Sequence, residues 1–92
     1  MDEIQKFSIL TVDDDPDILR IIEFILQQNY NVFTANSGNA ALKILNTDIP
    51  DLILLDIMMP KQNGIDTLKK LRENPKFKDI PAFKYISTSE EE

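Results

Sequence analysis

The 92-residue chain contains no cysteine and no histidine. The first absence removes disulfides and thiolate metal sites. The second removes the commonest general base and zinc ligand. Any chemistry must therefore run on carboxylates, hydroxyls and lysines. Glycine occurs only at Gly38 and Gly64, which excludes both a G-x-G-x-x-G turn and a Walker loop. No apolar run approaches the roughly 20 residues that span a bilayer. The opening MDEIQKF has neither the basic region nor the apolar stretch of a signal peptide. These absences predict a soluble, cytoplasmic domain. Positive charge is also scarce: 10 basic residues face 16 acidic ones, for a net charge of −6. Phosphate neutralisation needs clustered Lys and Arg, so nucleic acid is not the expected partner. A cation or a basic protein surface suits the chain better.

What remains is enough for one small domain, expected to fill residues 1–92, with a lead over about 1–6 and a mobile acidic tail over about 88–92. Phe7 to Val12 reads as a buried strand. Asp15 is placed to cap a helix, and Pro16 sits at its first position, where a missing N–H costs nothing. Ile18, Ile21, Ile22 and Ile25 recur at helical spacing and carry that helix to about Gln28. Asn31 to Ala35 reads as a second strand. Asn36 or Ser37 then opens a helix whose inner face is Ala41, Ile44 and Leu45. Asp51 to Leu55 is nearly all apolar, as expected of a strand covered on both faces. A third helix spans about Ile65 to Asn74, with Ile65, Leu68 and Leu71 inward and Lys69, Lys70 and Arg72 outward. Ala82 to Ser87 reads as a fourth strand.

The alternation is βαβαβαβ. Strands joined through helices run parallel with right-handed crossovers, so the fold class is α/β, an open parallel sheet with helices on both faces. In such a sheet every strand's C-terminal end lies on one edge, where ligands bind. The first strand ends in Asp13-Asp14-Asp15 and the third in Asp56. On its own, a run of Asp after a strand is ordinary turn and cap chemistry. If the two strands are neighbours, however, Asp13, Asp14 and Asp56 converge. Asp15 is used as the cap, and Asp17 lies in the first turn, where the helix dipole favours it. Converging carboxylates repel, and a hard divalent cation removes that cost. Mg²⁺ takes one or two carboxylates plus carbonyl and water and prefers to share a phosphate. The combination describes phosphoryl transfer, with Asp56 as candidate nucleophile. A calcium loop counted from Asp13 fails, because Ile18 and Phe24 stand where Gly and Glu are required. Asp13-x-Asp15 mimics the nucleophile pair of haloacid-dehalogenase-like phosphohydrolases, but the capping role of Asp15 and the short chain weigh against that class.

Val12-Asp13-Asp14, the segment Leu54-Leu55-Asp56-Ile57-Met58-Met59-Pro60, and Gly64 resemble the receiver domain of two-component response regulators, the CheY-like family. The similarity covers essentially the whole chain. It implies a flavodoxin-like strand order 2-1-3-4. It implies that Asp56 accepts a phosphoryl group from a histidine kinase or phosphotransfer protein. It further implies that Asp14 ligates Mg²⁺ directly, that Asp13 acts mostly through water, and that Met58 lends its carbonyl. Pro60 and Gly64 would shape the adjacent loop. Ser87 is the expected switch hydroxyl, with Thr88 the alternative. The spacing from Pro81 to Ser87 is about one residue longer than the family pattern implies, which leaves room for a bulge or shift.

The resemblance also implies elements that this sequence does not show: a fourth helix, a fifth strand with a switch aromatic and a phosphoryl-contacting Lys after it, and a fifth helix. A natural short receiver and a designed fragment both fit. Lys84 is no obvious substitute for that Lys, being about 10 Å down the strand from Ser87; a Lys on an edge strand instead blocks unwanted pairing. Without those elements, apolar surface is expected on the first helix and along the fourth strand. Self-association through one of them follows, or a signalling-deficient module that acts by protein contact.

Overall fold

The structure is a computed structural model and describes residues 7–58 and 64–86. Strands β1 (Ser8–Val12), β2 (Asn31–Ala35), β3 (Leu52–Asp56) and β4 (Ala82–Tyr85) alternate with helices α1 (Pro16–Leu26), α2 (Gly38–Leu45) and α3 (Gly64–Glu73). The strands form one sheet in the order β2-β1-β3-β4. All three pairings are parallel. β1 and β3 are therefore neighbours at the centre, as convergence of the carboxylates requires. After β4 the described residues contain no further helix or strand.

Helix starts follow local chemistry. The Asp15 carboxylate accepts from the Asp17 N–H at 2.9 Å, and Pro16 occupies the first turn. Ser37 caps α2 by accepting from the Ala40 N–H at 3.0 Å. Each bond satisfies one of the donors that a helix start leaves open.

Strand alternation divides the sheet into two faces. Leu10, Val12, Ala35, Ile53 and Leu55 point to one, where they pack with Ala41 and Leu45 of α2 and Leu71 of α3. Phe77 and Ile80, from the connection between α3 and β4, complete this core. That connection is tied down by Arg72, whose guanidinium donates to the carbonyls of Lys78 (2.9 Å) and Ile80 (2.8 Å). The other face carries α1, of which only Leu19 is buried.

The apolar surface expected on the first helix and the fourth strand is present: Ile21 and Ile25 are 58% exposed, and Phe24 and Phe83 66%. The reason is the cover: among the described residues α1 is the sole helix on that face. In α3 the buried stripe is Gly64, Thr67 and Leu71, while Ile65 turns outward. Of the expected inward residues, Leu71 is buried and Leu68 packs against the core; the correction concerns Ile65, whose place against the strand end is taken by Gly64. α1 stops at Leu26 rather than Gln28, and β4 ends at Tyr85. Within Ala82–Tyr85 the register against β3 is unbroken, without the bulge that the spacing allowed. The expected lead (1–6), the loop residue Pro60, and Ser87, Thr88 and the acidic tail lie outside the described residues.

Candidate functional site: an acidic pocket at the sheet edge

β1 and β3 are apolar until they end, and both end on a carboxylate held in the same way. Asp13 Oδ1 accepts from the Asp15 N–H at 2.9 Å, and Asp56 Oδ1 accepts from the Met58 N–H at 2.9 Å. A side chain bonding to the backbone two residues on is the Asx turn. Here it fixes the direction of two acids on adjacent strands. Asp13 and Asp56 are inaccessible to solvent, whereas Asp14 is exposed. One carboxylate oxygen from each of the three lies within 4.8 Å of the others. Three hard oxygens so close form a donor set that suits Mg²⁺.

Asp13 is covered but shallow, at the rim of the sheet. Burial raises its pKa above the ordinary carboxylate value, and the charges of Asp56 and Asp14 add to the rise. Hydrogen bonds from Tyr85 and the Asp15 N–H pull the other way without cancelling it. The Tyr85 hydroxyl donates to Asp13 Oδ2 at 2.6 Å. Burial first, then the acceptor and charge of Asp13, push the Tyr85 phenol far up, so it remains a neutral donor.

Gly64, the first residue of α3, supports the pocket from behind. A Cβ there would stand 2.5 Å from the Asp56 carbonyl oxygen and 2.5 Å from Ile57 Cα. Backbone atoms cannot yield as side-chain tips do, so only glycine allows α3 to begin against the end of β3.

The sequence pattern of the response regulator receiver domain matches residues 9–91. The chain belongs to the response regulator receiver family. It is 50% identical over 67 residues to the transcriptional regulatory protein CpxR of Escherichia coli K12, a match covering 72% of this chain and 28% of CpxR. It therefore spans less than a third of that regulator. Among solved structures, the N-terminal domain of a response regulator receiver protein from Methanoculleus marisnigri superposes with a TM-score of 0.81 at 40% identity, covering 85% of this chain and 64% of that one. The chemotaxis response regulator CheY4 of Vibrio cholerae superposes with a TM-score of 0.81 at 30% identity, covering 87% and 68%. The fold of this receiver is thus the CheY-like parallel sheet in the order 2-1-3-4.

Of the residues singled out in the sequence, the receiver brings Asp13, Asp14 and Asp56 together. Met58 is adjacent, with its side chain exposed and its N–H on Asp56. Asp15 is held as the α1 cap, which argues against its use in a D-x-D nucleophile pair. Lys84 pairs in register with Leu55, not Asp56, and so points to the sheet face opposite the pocket. Sequence reasoning missed Tyr85. Its signal was faint: a phenol near the end of a strand expected to lie beside β3. No helix among the described residues is long and apolar enough to cross a membrane.

Proposed function

We propose that this receiver takes a phosphoryl group onto Asp56 from a histidine kinase or phosphotransfer protein of the cytoplasm, with Mg²⁺ held by Asp14 directly, by Asp13 largely through water, and by Asp56 and the Met58 carbonyl. One observation carries this: three carboxylate oxygens from the ends of adjacent strands within 4.8 Å of one another. An Asp56 carboxylate oxygen attacks the phosphorus of a phosphohistidine. The new O–P bond forms as the N–P bond to imidazole breaks, and the imidazole nitrogen leaves with that electron pair. The product is an acyl phosphate on Asp56. Mg²⁺ held by these residues would supply positive charge to the phosphoryl group in transfer. The chain's own part is positional. The Met58 N–H fixes the Asp56 carboxylate, and Gly64 lets α3 back the strand end that carries it. Ser87 is assigned the hydroxyl that meets the phosphoryl group, with Thr88 the alternative.

Incubation with Mg²⁺ and a small phosphodonor should add one phosphoryl mass, mapped to Asp56. Asp56→Asn and chelation of Mg²⁺ should each abolish it. Labelling that persists in Asp56→Asn would sink the assignment.

A specific observation favours a second reading, a module acting through protein contact. Ile21, Phe24 and Ile25 of α1 are exposed, as is Phe83 on the same face of the sheet. Large apolar groups gathered on one side of a small domain are usual at interfaces. Self-association through α1 or β4 should show in sedimentation as a mass that rises with concentration and is unaffected by Asp56→Asn.

A further inference from the structure

Tyr85 stands level with Asp56 in the β3–β4 register, and its side chain shares the sheet face of Asp13 and Asp56. Its hydroxyl reaches back across β3 to Asp13 Oδ2. The other Asp13 oxygen is already held by the Asp15 N–H, so both oxygens of this carboxylate have donors. At 2.6 Å, donation to a carboxylate belongs to the short, charge-assisted class. A cation drawn to Asp13 meets an oxygen whose negative charge is already partly neutralised.

A second acceptor lies below. Thr11 shares the Asp13 face of β1, and its Oγ1 is fully buried without a hydrogen-bond partner among the described residues. It is near enough to the phenol to influence it, though outside bonding geometry. A buried hydroxyl without a partner is costly to leave so. Moving the phenol from Asp13 to Thr11 would satisfy that group while freeing the carboxylate.

We propose that Tyr85 is a latch on the acidic pocket: its hydroxyl competes for Asp13 Oδ2 with a divalent cation and the water that cation carries, and the cation site fills by displacing it. This rests on the reading of the pocket as a Mg²⁺ site and adds a residue that sets the Mg²⁺ concentration at which the site fills. Tyr85 is a positioning residue here, acting through Asp13.

Calorimetric Mg²⁺ titration of the unphosphorylated chain and of Tyr85→Phe is the test. Phenylalanine keeps the ring and removes only the donor, and it should tighten Mg²⁺ binding by roughly fivefold to tenfold. In a Tyr30→Phe chain, Tyr85 is the single remaining tyrosine. Its near-UV spectrum should shift with Mg²⁺ at the calorimetric midpoint, a readout that does not require Tyr85→Phe to fold. Unchanged or weaker Mg²⁺ binding in Tyr85→Phe, or a Tyr85 spectrum that ignores bound Mg²⁺, overturns the latch while leaving the metal site intact. Absence of Mg²⁺ binding in both chains removes the phosphoacceptor reading and the latch together.

Discussion

The two faces of the sheet share four strands and differ in what covers them. On one, α2, α3 and the turn carrying Phe77 and Ile80 close over Leu10, Val12, Ile53 and Leu55, which are at most 1% exposed. On the other, α1 stands alone among the described residues, and Phe24 and Phe83 are each 66% exposed. Hydrophobicity of sequence is therefore a poor guide to where stability resides. The α1 stripe is as apolar as the rows of α2, yet a row contributes only where a second surface excludes water from it. The closed face holds the strands in register. The pocket acids and Tyr85 lie on the α1 face.

The largest test of this contrast is Leu55→Ala. It removes a fully buried side chain on the closed face and should cost about 3 kcal/mol in urea unfolding. Smaller is the effect of Asp13→Asn on the open face. The folded chain raises the Asp13 pKa above its ordinary 3.8, so it binds that proton more tightly than the unfolded chain does. The stability gained from the proton is full below pH 3.8 and is lost as pH rises through the folded value. Asp13→Asn carries no such charge, and the Tyr85 hydroxyl can turn to accept from its amide. The variant should therefore be more stable than the parent at neutral pH without Mg²⁺, with the advantage shrinking as pH falls. Unfolding midpoints measured across pH will show it, and a gap that does not vary with pH contradicts it. The smallest expected change is Phe24→Ala, within about 0.5 kcal/mol by the same measurement. A loss near that of Leu55→Ala would mean that α1 is covered in solution.

Much of this was legible in advance because it is local. An apolar run stopping at an Asp marks a strand end wherever it occurs. Asp15-Pro16 and Ser37 announce helix starts through bonds spanning two or three residues. The meeting of Asp13, Asp14 and Asp56 needed one further step, the adjacency of β1 and β3, which parallel topology supplies. What escaped depends on exact register or on cover. Tyr85 and Asp13 are 72 positions apart, and no periodicity reveals which β4 residue stands level with Asp56. Phe77 and Ile80 sit in a connection without helical or strand spacing, so nothing marked them as core. Gly64 was recognisable as a loop-shaping residue, but not the backbone approach that excludes any side chain there. The exposure of Ile21 and Ile25 did not escape: their spacing is core-like, yet apolar surface on the first helix was expected.

The guanidinium of Arg72 grips the chain just before β4 begins, and Tyr85 fastens the same strand where it finishes. β4, one of the sheet's two edge strands, is thus moored at two points beyond its backbone ladder, by side chains from two different elements. Casting off at Tyr85 alone leaves the upstream mooring in place. The backbone bond from the Ile57 N–H to the Tyr85 carbonyl (3.0 Å) stays as well, so freeing the phenol moves a side chain and leaves the strand in register.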